Sequence, residues 1–146
     1  MVPSKKAHDI VRSFRVLELT IMLQLTTIIF LIAFSLLAII HAIALTLSLY
    51  WHFLWFDIPM HAFGGMIVAL GFFTLRDLKL FPNASLRITR ILFLTFAIAV
   101  IWELFEYFAG VPIDSNYAFD TSLDITMGLL GACIGFYIGT SLRNLR

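Results

Sequence analysis

Charged residues are scarce in this sequence. They make up 13% of the 146 residues, against 61% hydrophobic residues, and the mean hydropathy is +0.98. Residues 19–56 contain no Asp, Glu, Lys or Arg at all. A soluble domain carries about 25% charged residues. The composition therefore excludes a soluble globular domain, predicts an integral membrane protein, and gives no reason to expect a nucleic-acid partner.

Gly and Pro are absent from residues 4–58, which therefore lack the residues that a turn between two helices would normally use. This stretch is predicted to be one long helix with a first membrane span at about 19–49, too long for the apolar region of a signal peptide. Three further apolar segments follow, at about 58–75, 91–109 and 120–142. Each is near the roughly 20 residues that cross a bilayer. The prediction is an all-α bundle of four transmembrane helices in a single domain, 1–146.

Lys and Arg are missing from two of the predicted connections, at about 50–56 and 110–119. All ten basic residues lie before span one, between spans two and three, or after span four. By the positive-inside rule, both termini are predicted to be cytoplasmic. The single cysteine, Cys133, lies in the fourth span and excludes an intramolecular disulfide.

Acidic residues show the opposite bias and gather near the predicted outer ends of three spans. With one histidine they form three pairs, Asp57 with His61, Glu103 with Glu106, and Asp120 with Asp124. Spacings of three or four residues place both members of a pair on one helix face. Counting the helical rise puts the three pairs at a similar depth. The sequence therefore predicts one polar site built by three helices, whereas Asp114 is expected to be an ordinary loop residue.

Simpler roles exist for some of these residues. Asp57 and Asp120 are each as compatible with a helix N-cap as with the polar site. A lone histidine such as His61 is commonly a hydrogen-bonded core residue. Glu103, Glu106 and Asp124 are harder to explain, because a charge within a span costs about 2.5 to 3.5 kcal/mol near the bilayer centre. A network of protonated acids that satisfy one another is the alternative to a ligand site.

The chemistry of carboxylates around one imidazole favours a divalent metal ion, with Zn, Mn, Fe and Mg as candidates. The predicted metal ligands are Asp57, His61, Glu103, Glu106, Asp120 and Asp124. Glu103, Glu106 and Asp124 are also the candidate catalytic acids or bases, since closely spaced acids share protons. This arrangement suits a metal-dependent hydrolase or transferase acting on a membrane lipid or a lipid-linked substrate.

Two other classes of function fit the same residues. One is a transport protein with a proton or cation site, although the inner halves of spans two and three are apolar, so an oligomer would have to complete the pathway. The other is an accessory subunit of a larger membrane complex. His41, in the outer half of span one, is predicted either to reach the acidic layer or to make an interhelical hydrogen bond.

Three segments resemble known families: FDIPMHAFGG (56–65), IWELFEYFAG (101–110) and DTSLDITMGLLGACIG (120–135). Together they resemble the small bacterial membrane proteins of the YjdF type, a domain of unknown function, and more distantly the VanZ-like family linked to glycopeptide resistance. The sequence departs from the VanZ-like pattern, which tends to have Glu-x-x-Gln where Glu103 and Glu106 stand. The resemblance implies a bacterial plasma (inner) membrane protein and supports the site residues, but it names no substrate.

Overall fold

The computed structural model describes residues 5–81, 86–110 and 116–144, and these ranges contain helices and no strand. The elements are α1 (Lys5–Thr46), α2 (Leu49–His52), a 3-10 turn (Leu54–Phe56), α3 (Asp57–Asp77), α4 (Ile88–Ala109) and α5 (Tyr117–Asn144). Asp114, predicted to be a loop residue, lies outside the described residues.

Four segments are long and apolar enough to cross a membrane: Leu25–Thr46, Leu54–Asp77, Ile88–Ala109 and Tyr117–Asn144. This confirms the prediction of an all-α protein with four such helices. The 42 residues of α1 measure about 63 Å at the usual helical rise, roughly twice the ~30 Å thickness of the hydrocarbon layer. The helix is therefore longer than the hydrocarbon layer is thick.

The prediction of one continuous helix over residues 4–58 is wrong after Thr46. Ser48 adopts a left-handed conformation (φ 53°), and the short helix α2 and the 3-10 turn then lead into α3. A left-handed conformation costs a residue with a side chain about 1 to 2 kcal/mol. Local contacts offset this cost, because the His52 ring nitrogen Nδ1 bonds the Ser48 carbonyl at 2.8 Å and Tyr50 is buried. The chain thus reverses without Gly or Pro.

The closest helix packing joins α3 to α5. A Cβ atom on Gly65 would lie 1.8 Å from the Gly128 carbonyl oxygen, and one on Gly131 would lie 1.8 Å from the Ala62 carbonyl oxygen. Small residues allow such backbone contact between membrane helices. The helix α1 packs on α3 and α4 packs on α5, whereas the backbones of α1 and α4 rarely come close over the residues described.

The far end of the α3 and α5 pair is held by an ion pair. Arg143 near the end of α5 donates from Nη2 to Asp77 Oδ1 at the end of α3, and its guanidinium carbon lies 5.1 Å from the centre of the buried Phe73 ring. Since α3 has 21 residues, this ion pair is about 30 Å from Asp57 along the helix. The fold therefore places its two polar regions at opposite ends of α3.

Candidate metal centre

Five of the six predicted ligand residues come together around one histidine. His61 Nε2 lies 3.6 Å from Asp57 Oδ1, 3.7 Å from Glu103 Oε1 and 3.9 Å from Glu106 Oε2. Their potential ligand atoms form two overlapping groups, each within 4.8 Å: Asp57, His61 and Glu106, and His61, Glu103 and Asp124. The structure thus brings five of the six predicted residues, from α3, α4 and α5, into one carboxylate and histidine cluster, and their role as a site stays a prediction. These five residues are called the acidic cluster below.

The glycine contact between α3 and α5 positions two members of the cluster. Gly65 is four residues after His61, and Gly128 is four residues after Asp124. In each helix the side chain therefore stands one turn from the contact and on the same face as the glycine. Because the two backbones touch at the glycines, His61 and Asp124 must lie close to each other.

Three buried atoms of the cluster have no hydrogen-bond partner among the described residues. They are His61 Nε2, Glu103 Oε1 and Asp124 Oδ1, contributed by three different helices. The side chains of His61 and Glu103 are only 7% and 8% exposed, and Asp124 is 2% exposed. A buried polar atom without a partner costs about 1 to 3 kcal/mol. All three belong to one ligand group, so a single cation could contact them together.

The other carboxylate oxygens on α4 are held by hydrogen bonds. Thr121 Oγ1 donates to Glu103 Oε2 at 2.9 Å, and Trp102 Nε1 donates to Glu106 Oε1 at 2.7 Å. Each bond leaves the second oxygen of that carboxylate directed at His61. Outer partners that orient ligand carboxylates are typical of metal sites. Neither donor was among the residues predicted from the sequence, although Trp102 stands one helical turn before Glu106 and that spacing allows the bond.

The distances from His61 Nε2 to its neighbouring carboxylates suit ligands of a shared ion. Two atoms that each lie about 2.0 to 2.2 Å from a Zn or Mg ion are roughly 3 to 4.4 Å apart. The three separations around His61 Nε2 fall within this range. Four carboxyl groups and one imidazole are also the donors that divalent ions prefer. The residues present therefore fit a divalent cation.

Asp120 stands apart from the ligand groups. It is half-buried one turn before Asp124 and belongs to neither group. The N-cap prediction is wrong for it, because Asn116 precedes α5 and its Oδ1 accepts the Phe119 backbone N–H at 3.3 Å. It is also wrong for Asp57, which lies in the first turn of α3.

His41 makes the interhelical type of contact instead of joining a ligand group. Its Nδ1 lies 2.7 Å from the Tyr50 hydroxyl, and its ring packs against Trp102. Burial, followed by the nearby charges of Asp57 and Glu106, raises the pKa of Tyr50 to about 12. The phenol keeps its proton at neutral pH, and the tautomer of His41 decides which of the two side chains donates this bond.

A cavity of about 440 Å³ adjoins the cluster between α1, α3 and α4. Asp57, His61 and Glu106 form its polar end, next to His41 and Tyr50. Its apolar walls include Phe34, Leu37, Ala38, Met60, Val68 and Ile98. Its volume is within the usual range of 300 to 1,000 Å³ for small-molecule sites. Two of the carboxylates in the acidic cluster are therefore accessible to a ligand, whereas Glu103 and Asp124 are buried behind them.

Comparison with known proteins gives one family. The family described as "Predicted membrane protein (DUF2238)" matches residues 10–144. No curated protein and no solved structure matches the chain. The resemblances to YjdF-type and VanZ-like proteins stay predictions.

Proposed function

The chain belongs to the DUF2238 family of predicted membrane proteins, and we propose that its acidic cluster binds a divalent metal ion used by a membrane hydrolase or transferase. Zn, Mn, Fe and Mg are the candidate ions. The observation that carries the proposal is the set of three buried atoms, His61 Nε2, Glu103 Oε1 and Asp124 Oδ1, that lack a hydrogen-bond partner among the described residues. One cation would satisfy all three.

The two sides of the cluster suit different roles. Glu103 and Asp124 are buried and share one ligand group with His61, so we assign them to ion binding. Asp57 and Glu106 line the cavity, and Glu106 is the proposed general acid or base because a substrate in the cavity would reach it. A bound divalent ion supplies Lewis acidity and an activated water. Asp120, a predicted ligand, would influence the ion only from outside the two ligand groups.

The proposed substrate is a membrane lipid or a lipid-linked compound, and the proposed location is the bacterial plasma (inner) membrane. Placing the basic residues in the cytoplasm puts both termini inside and the acidic cluster toward the outer leaflet. The transport alternative needs polar groups through the bilayer. Outside the cluster, the lining also includes His41, Tyr50 and Trp102 at the polar end, and of the described lining residues further along the cavity only Thr95 has a polar side chain. This favours the enzyme over a transport pathway.

Elemental analysis of detergent-purified protein, incubated with each candidate ion and then desalted, tests the metal site. Wild type is expected to retain close to one ion per chain. His61→Ala and Glu103→Gln are expected to lose it, because each removes an atom of the buried ligand group. Asp77→Asn is the matched control, since it breaks the ion pair at the other end of α3 and should keep the metal. Equal metal content in wild type and His61→Ala would refute the site.

Turnover tests the enzymatic part. Metal-loaded protein is incubated with vesicles of a bacterial lipid extract, and headgroup release or transfer is followed by mass spectrometry. Wild type is expected to change the lipid profile only with metal present. Glu106→Gln should bind metal and lose at least a hundredfold in rate, since general acid or base catalysis contributes about 10² to 10⁴. Metal binding with no lipid turnover in any condition would support the metal site and refute the proposed enzymatic activity.

A further inference from the structure

The cavity beside the acidic cluster has the shape of a lipid site. We propose that it holds one hydrocarbon chain of a phospholipid with an ammonium-bearing headgroup, which enters between α1 and α4 and places its headgroup at Asp57, His61 and Glu106. The headgroup end of this inference rests on the proposed function. The chain-binding end rests on the cavity alone.

The length of the cavity corresponds to one leaflet. Along α3 its lining runs from Asp57 to Val68, and along α4 from Glu106 to Thr95. Eleven residues of helix rise about 16 Å, which is half of the ~30 Å hydrocarbon thickness. The polar residues stand at the end of the bundle and the apolar walls extend toward its middle. A lipid in the adjacent leaflet has the same order of polar and apolar parts along the same direction.

The side of the cavity is accessible from the bilayer. The backbones of α1 and α4 rarely come close over the described residues, and the ring contact of His41 with Trp102 lies at the polar end of the cavity. Three lining residues on these helices, Phe34, Ile98 and Trp102, are exposed on the protein surface. All three lie within candidate membrane spans. A surface-exposed residue in a span faces lipid, so the opening between α1 and α4 faces acyl chains rather than water.

The charge of the lining selects the headgroup. Among the described residues that line the cavity, Asp57 and Glu106 are acidic and none is Lys or Arg. An ammonium group is therefore attracted to the polar end, whereas a headgroup with only negative charge is attracted less.

Photo-crosslinking in vesicles tests the proposal. Wild-type protein is reconstituted into phosphatidylethanolamine and phosphatidylglycerol, with a trace of phosphatidylethanolamine that carries a diazirine in the middle of one acyl chain. After irradiation, peptide mass spectrometry is expected to find label on Leu37 and Ile98. A matched probe with a phosphatidylglycerol headgroup should label these residues less.

Gly64 provides the blocking variant. A Cβ atom at Gly64, which lines the cavity, meets no atom within 4 Å. Gly64→Leu should therefore fill the cavity without separating the helices. The label on Ile98 should fall about tenfold, which corresponds to a tenfold weaker binding of the lipid. Ala42→Leu is the control, because Ala42 is exposed on α1 and is not among the described lining residues.

The outcomes separate this inference from the metal site. Retained metal with tenfold less label in Gly64→Leu supports the chain site, and unchanged label in Gly64→Leu overturns it whatever the metal content. Equal labelling by the two headgroups overturns the ammonium preference. Specific labelling of a wild-type protein that binds no metal would refute the proposed metal function and leave the chain site standing.

Discussion

Two adjacent glycines of α3 are expected to respond in opposite ways to the same substitution. A Cβ atom at Gly65 would lie 1.8 Å from the Gly128 carbonyl oxygen, and one at Gly64 would meet nothing within 4 Å. Ordinary van der Waals contact for such an atom begins at 3.4 Å. Gly65→Ala therefore forces α3 and α5 apart by about 1.5 Å, because a backbone carbonyl cannot rotate away as a side chain can.

The expected magnitudes follow from this difference. Gly64→Ala replaces a helical glycine without a clash and should raise the free energy of unfolding by about 0.5 to 1 kcal/mol. Gly65→Ala gains the same helix preference, but overpacking lowers its free energy of unfolding by about 1 to 3 kcal/mol, and by more when the backbone must move. The free energies of unfolding of the two variants should thus differ by roughly 2 kcal/mol or more.

The assay is reversible unfolding in mixed micelles with increasing sodium dodecyl sulfate, followed by far-ultraviolet circular dichroism. Metal content is measured on the same samples. Gly65→Ala should also lose metal, since the contact at Gly65 and Gly128 lies one turn from His61 and Asp124. If Gly65→Ala unfolds at the same detergent fraction as Gly64→Ala and keeps its metal, backbone contact at this point does not position the site.

Two further predictions concern residues beside the cluster. Thr121→Val removes the donor to Glu103 Oε2 and should weaken metal binding about 10- to 100-fold, as measured by a competition titration. Thr121→Ser keeps the hydroxyl and should retain wild-type affinity. Wild-type affinity in Thr121→Val would exclude a positioning role for Thr121. Tyr50 holds its phenolic proton more tightly in the folded protein than in the unfolded chain, where the pKa of the phenol is near 10. The free energy of unfolding is therefore at its full value below pH 10. It declines as the pH rises toward the Tyr50 pKa of about 12 in the folded protein. Tyr50→Phe should reduce this decline, and a wild-type tyrosinate absorbance titration without a late component would contradict it.

The sequence predicted the cluster because a bilayer constrains helices strongly. Spans that cross the same layer run nearly parallel, so counting 1.5 Å per residue places side chains at comparable depths, and this brought Asp57, His61 and Asp124 to one level. The same counting does not say which helices touch. The α3 and α5 contact depends on shape complementarity around Gly65, and the gap between α1 and α4 depends on how all four helices pack. The turn at Ser48 was missed because tertiary packing overrode the absence of turn residues.

The structure also divides a pair that the sequence presented as one unit. Glu103 and Glu106 are three residues apart, and three residues of α-helix rotate the side-chain direction by about 300°, which leaves the two carboxyl groups about 60° apart around α4. Glu103 consequently faces α5, where Thr121 binds it, and Glu106 faces the cavity. His61 belongs to both ligand groups. A single imidazole therefore connects a buried set of ligands, suited to hold an ion, with a cavity-facing set, suited to meet a lipid. In the proposed function, this division would let an ion and a substrate share one end of such a small bundle.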